Sequence, residues 1–243
     1  MNLRIFDSLD DLVRGAAATI LQIVQKTDRA IIALSGGSTP KPLYELLGGV
    51  PYREQLAKKA IVWVVVDERY VPLDDPQSNA AMIQRTLFHD GISEGHEFLR
   101  FKTELKDPAK TALDFEEQWK LLGIGRLDVV LLGIGDDGHT ASLFPGTPVL
   151  AVTDRIAAEV FVPRLDQWRV TITLPVIREA TLRMVLAAGQ SKRKILDEIR
   201  RGVDHPITRA TTGLDTWWVT DRAATAELAS ASGDPSPGID SLS

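Results

Sequence analysis

The sequence predicts an α/β fold, with a mostly parallel sheet flanked by helices on both faces. Two observations carry this expectation. Short apolar runs of strand length alternate with stretches of helical period, the pattern of successive β and α units. Apart from Asp128 and Arg183, the runs are continuously apolar rather than apolar at every second position, as a strand covered on both faces requires.

Leu9, Leu12, Val13, Ala16, Ile20, Ile23 and Val24 recur at helical spacing behind Asp7 or Ser8, either of which would serve as N-cap. This helix is expected to precede the first strand, at residues 30–34. Further buried strands are expected at 61–66, 127–132 and 183–188, and these four would form the core. Helices are expected at 42–47, 79–87, 108–122 and 191–200. Residues 169–173 (Arg-Val-Thr-Ile-Thr) are β-branched and alternating, and 217–219 read as a late strand. No internal repeat is evident. Residues 1–228 are expected to form one domain. Residues 229–243, rich in Ser, Gly, Pro and Asp, would be a mobile tail.

Composition excludes several functions. Cysteine is absent, so disulfides, thiolate metal sites and cysteine nucleophiles are ruled out. With 28 Lys and Arg against 33 Asp and Glu, the chain lacks the basic excess of a nucleic-acid binder. No apolar run approaches the ~20 residues that cross a bilayer, so no membrane partner is expected. No basic stretch leads into a long apolar run near Met1, so a cytoplasmic location is expected. A small anionic ligand stays open, because backbone amides and a few placed cations bind phosphate whatever the net charge.

In parallel α/β sheets, ligands bind outside the carboxyl ends of the strands, so the loops that follow the apolar runs are the candidate site. After residue 34 come Ser35, Gly36, Gly37, Ser38, Thr39 and Pro40. Two glycines, with Ser38 and Thr39 just before a helix, make either a phosphate cradle or a simple capped turn. After residue 66 come Asp67, Glu68 and Arg69, charges that are costly unless paired across the crevice or solvated in a loop. After residue 132 runs a glycine-rich loop containing Asp137 and His139, a spacing that lets carboxylate and imidazole share a pocket. Two cationic places complete the set. Arg169 opens its strand, and Lys192 stands near a helix start, where an anion would relieve its opposition to the helix dipole. Arg193 and Lys194 read better as a surface cluster.

These segments resemble the 6-phosphogluconolactonase family, within the glucosamine-6-phosphate deaminase/isomerase superfamily. The resemblance extends to about Leu228. It rests on the run 35–40, on Asp67-Glu68-Arg69 with Val71-Pro72 and Ser78-Asn79, on the run 133–146, and on Arg169-Val170-Thr171-Ile172-Thr173-Leu174-Pro175. It implies the Rossmann-like fold of that superfamily and hydrolysis of a phosphorylated sugar lactone without metal or nucleotide cofactor. The expected roles are His139 as general base, Asp137 as its orienting carboxylate and Arg69 at the developing oxyanion, with Asp67 as a further catalytic candidate. Gly36, Gly37, Ser38, Thr39, Arg169 and Lys192 would hold the phosphate. The assembly is expected to be a monomer or weak homo-oligomer. Phe144 stands where the deaminases carry a ring-opening Glu, and Arg69 where they usually carry Tyr. Both favour lactonase over the alternatives, an amino-sugar-phosphate isomerase or deaminase and a non-catalytic sugar-phosphate sensor. Arg178 replaces the family's usual Asn, and 206–209 depart from its late Pro-Ala-Ser-like segment.

Overall fold

A computed structural model describes residues 1–225. The tail expected at 229–243 lies outside the described residues. In chain order the strands are β1 (Asn2–Phe6), β2 (Arg29–Leu34), β3 (Ala60–Val65), β4 (Asp67–Arg69), β5 (His96–Leu99), β6 (Val129–Leu132), β7 (Ala157–Val162), β8 (Gln167–Ile172), β9 (Leu182–Ala187) and β10 (Thr216–Asp221). The helices are α1 (Leu9–Gln25), α2 (Lys41–Gly48), α3 (Tyr52–Leu56), α4 (Asn79–Thr86), α5 (Pro108–Leu121), α6 (Leu174–Glu179), α7 (Arg193–Arg200) and α8 (Pro206–Thr211).

Seven strands form one sheet in the order β1-β10-β9-β6-β2-β3-β5, and every pairing in it is parallel. The expected strands all fall in it except 169–173. Every residue of β6 and β9 is buried. Successive side chains point to opposite faces, so both faces of these strands are covered. The α1 helix begins as expected at Ser8, whose side chain accepts from the Asp11 amide.

One expectation needs correction, and two placements left open are resolved. A strand, β1, precedes the first helix. It was hidden because it is an edge strand of mixed polarity, with Leu3 and Phe6 only partly buried. The strand at 169–173 belongs to β8 in a separate antiparallel sheet, β4-β8-β7. Residues 169–172 of this strand are all buried, so the alternation of residue types does not mark an exposed face. Finally, 67–69 is not a solvated loop but strand β4, with Asp67 6% and Glu68 1% exposed.

Glu68 explains why that strand can be buried. Its carboxyl accepts from the amides of Arg69, Asn79 and Ala80 at 2.9, 2.7 and 2.8 Å and from Ser78 Oγ at 3.2 Å. The acid therefore collects the free donors at the start of α4 and ties that helix to the small sheet. Burial pushes its pKa up to about 7, against the pull of the amides. Glu68→Ala should orphan these donors and lower unfolding free energy by roughly 2–4 kcal/mol. Urea denaturation measures this, and a loss below about 1 kcal/mol would show that water replaces the carboxyl.

Candidate active site

The large sheet reverses its direction of growth between β2 and β6. From β2 the chain proceeds to β3 and β5 on one side, then returns to β6 and on to β9 and β10 on the other. The loops leaving β2 and β6 therefore diverge, opening a crevice at their carboxyl ends. An open cleft of about 220 Å³ occupies this place, lined by residues of the 35–40 loop, by Asp67, Arg69 and Asn79, by the 133–141 loop, and by Arg169 and Lys192.

One wall is the loop after β2. Tyr44 donates its hydroxyl to the Ser35 carbonyl at 2.7 Å and pins the loop. Gly36 packs so tightly on Asn79 that a Cβ would stand 1.8 Å from Asn79 Oδ1. Asn79 in turn donates to the Asp67 carbonyl at 2.7 Å, and Ser142 Oγ donates to Asp67 Oδ2 at 2.6 Å. Asp67 thus joins three segments of the wall, those at 67–69, 79 and 142.

The adjoining wall carries two guanidinium groups. Arg69 on β4 and Arg169 on β8 are direct cross-strand partners, a like-charge placement that is unfavourable unless something compensates. Arg69 donates to the Gln77 carbonyl at 2.8 Å, but its Nε is buried without a partner. Arg169 is 9% exposed, and its side chain has no hydrogen-bond or ion-pair partner among the described residues. Burial pushes its guanidinium below the ordinary arginine range, while the charge of Asp67 pulls the other way. Ser35 Oγ is likewise buried and unpartnered. Buried donors left without acceptors are rare, and here three of them border the same cleft.

The far wall is the loop after β6. His139 Nδ1 lies 2.5 Å from Asp137 Oδ1, which also accepts from the His139 amide at 3.3 Å. Burial raises the Asp137 carboxyl, but the His139 hydrogen bond and charge, with that of Arg164, outweigh it and hold the group below the usual carboxylate range. Because Nδ1 is engaged with a carboxylate, Nε2 is the ring nitrogen left to accept a proton. The ring stacks on Phe144 at 4.2 Å between centroids. Gly135 lies beneath it, where a Cβ would meet Nδ1 at 2.0 Å. Lys192 enters from the 3₁₀ turn after β9, its Nζ 2.7 Å from Asp136 Oδ1. Asp221 fixes that turn by accepting the Gly189 amide at 3.0 and 3.1 Å.

The residues also match a known family model, "Glucosamine-6-phosphate isomerases/6-phosphogluconolactonase", over 7–218. The chain belongs to this family. It is similar to the 6-phosphogluconolactonase of a Synechocystis species, 37% identical over 192 residues, which are 74% of this chain and 75% of the relative. A Nostoc 6-phosphogluconolactonase is 36% identical over 241 residues, covering 90% of this chain and 96% of the relative. The solved 6-phosphogluconolactonase from Trypanosoma cruzi superposes with a TM-score of 0.81 at 28% identity, covering 93% of this chain and 96% of that one.

Gly36, Gly37, Ser38, Thr39, Asp67, Arg69, His139, Arg169 and Lys192 all line the cleft of this family member. Asp137 does not line it; it stands behind His139. Lys194 is a surface residue paired with Glu198, as expected, whereas Arg193 folds back to donate to the Ala223 carbonyl at 2.7 Å. Asn79, Ser142, Arg164 and the Ser35 hydroxyl were not foreseen as parts of the site. Asn79 could have been found, since it follows Ser78 in a segment that carried the family resemblance.

Gly36→Ala should displace Asn79 and with it Asp67. We expect a folded protein whose stabilisation by millimolar inorganic phosphate, read as a shift in melting temperature, is largely lost. An undiminished shift would show that the loop can yield without disturbing the anion site.

Proposed function

We propose that this chain hydrolyses 6-phospho-D-glucono-1,5-lactone to 6-phospho-D-gluconate, the lactone-opening step of the oxidative pentose phosphate pathway. The observation that carries the reading is the division of one cleft into two chemistries. On one side are unpartnered buried donors suited to a phosphate. On the other is an imidazole backed by a carboxylate.

A lactone is an activated ester, so its hydrolysis needs a positioned water, a base, and charge stabilisation at the carbonyl oxygen. His139 Nε2 takes a proton from water while Asp137 steadies the resulting imidazolium through Nδ1. Hydroxide adds to the C1 carbonyl, and the Arg69 guanidinium, which borders the cleft, is assigned to the oxyanion. When the tetrahedral intermediate collapses, the ring oxygen leaves with the proton returned by His139. Asp67, whose oxygens are engaged by Ser142 and Asn79, holds the wall and faces the charge of Arg169.

The phosphate is assigned to Arg169, Lys192, Ser35 and the 36–39 backbone. Its binding energy fixes the distance of the lactone carbon from the base, so contacts remote from the chemistry contribute to turnover. Against amino-sugar deamination stands Phe144, which is 3% exposed and stacked on His139, filling with an apolar ring the place that a ring-opening carboxylate would need. A sensor domain would have no need of the dyad. A cytoplasmic setting and a monomeric or weakly associating state belong to the same proposal.

The direct test is the rate on freshly generated lactone, corrected for its spontaneous hydrolysis. Acceleration supports the reading, whereas ammonia release from an amino-sugar phosphate, or no acceleration, overturns it. His139→Ala should lower turnover by roughly 10²–10⁴-fold with little change in KM. Near-normal turnover in the folded variant would remove His139 as the base. Arg169→Ala and Lys192→Ala should each weaken binding of the phosphorylated lactone by about 1.5–3 kcal/mol. Hydrolysis of unphosphorylated gluconolactone should stay unchanged, and an equal loss on both substrates would place the phosphate elsewhere.

A further inference from the structure

Asp137 divides its carboxylate between two partners. Oδ1 serves His139, and Oδ2 lies 2.6 Å from the Arg164 guanidinium. Arg164 comes from the other sheet, in the turn between β7 and β8. That turn closes through Asp166, whose φ of 46° is left-handed. The guanidinium lies 5.1 Å from the centroid of the Phe144 ring, the ring on which His139 stacks. Imidazole, carboxylate, guanidinium and aromatic ring thus form one cluster. Arg164 itself does not line the cleft, and its side chain is 53% exposed.

An ion pair this exposed contributes little to folding. Its effect falls instead on the group that shares the carboxylate. An isolated Asp137 carboxylate would favour the imidazolium form of His139 and keep the base protonated to higher pH. A guanidinium on the second oxygen offsets part of that charge and repels the imidazolium directly. Both effects have the same sign.

We propose that Arg164 is a positioning residue for the dyad: it orients the Asp137 carboxylate toward His139 and extends to lower pH the range in which His139 accepts a proton from water. This rests on the lactonase reading above. The other cations near the dyad are not paired with the Asp137 carboxylate. Lys192 is held by Asp136, and Arg69 and Arg169 face the cleft with Asp67 beside them. On the far side, the His205 ring packs under Gly138 and is paired with Glu198 at 3.0 Å. Arg164 is the one Lys or Arg side chain in ion-pair contact with the Asp137 carboxylate among the described residues.

The test compares wild type with Arg164→Gln and Arg164→Lys in the full chain. For Arg164→Gln, the acid limb of the kcat/KM profile should move up by about 0.5–1 pH unit, with KM on the plateau unchanged. Arg164→Lys should recover most of the difference. A second readout needs no substrate: the NMR titration of the His139 ring, identified by its loss in His139→Ala, should move upward in Arg164→Gln by a similar amount. If the wild type fails to accelerate lactone hydrolysis, the lactonase reading falls, while the NMR titration still decides whether Arg164 acts on the dyad. An acid limb and ring titration that both stay in place overturn the proposal. So does a rise in KM confined to the phosphorylated substrate, which would make Arg164 a phosphate ligand.

Discussion

The cleft depends on an electrostatic constraint: two arginines lie side by side on neighbouring strands, one of them buried and without a partner. Desolvating a guanidinium is costly, and placing a second beside it adds repulsion. The fold tolerates the arrangement because Asp67 sits in the same wall and because the position is the mouth of a crevice open to a ligand. In the proposed function that cost becomes affinity for the substrate phosphate, since the protein need not first break a salt bridge in order to bind it. The buried Ser35 hydroxyl and the glycines of the same loop extend this preorganisation to the neutral donors.

The topology converts that affinity into chemistry. The two arginines and the dyad arise from different segments, β4 and β8 for the arginines and the loop after β6 for the dyad, held together at the point where the large sheet changes direction. Asp67 links them physically, taking Ser142 from the dyad's loop and Asn79 from α4. Glu68, the next residue, secures α4 to the small sheet. Adjacent acids on one strand therefore do different work, one in the cleft wall and one behind it, because successive strand residues face opposite ways.

Much of this was legible in the sequence because it is local. The uniformly apolar runs gave the central strands, and glycine-rich loops directly after them gave the 35–40 and 133–141 walls. Non-local pairing was not legible. Nothing near Arg164 announces that it reaches Asp137, because the contact joins two sheets. The burial of Asp67 and Glu68 could not be read from three consecutive charges, since Glu68 depends on amides 11 and 12 residues later and Asp67 on the Ser142 hydroxyl 75 residues later. The edge strands β1 and β5 and the hairpin partner β7 were missed for a related reason. Strands with one solvated side lack the continuous apolar signal that marks the core.

The central claim is that phosphate and lactone carbon occupy opposite ends of one cleft. A crystal structure with bound 6-phosphogluconate tests it most directly. The account predicts the phosphate within hydrogen-bond reach of Arg169, Ser35 and the 36–39 amides, with the C1 carboxylate facing His139 Nε2 and Arg69. A phosphate resting on His139, or a sugar lying outside the cleft with Arg169 still unpartnered, would contradict it.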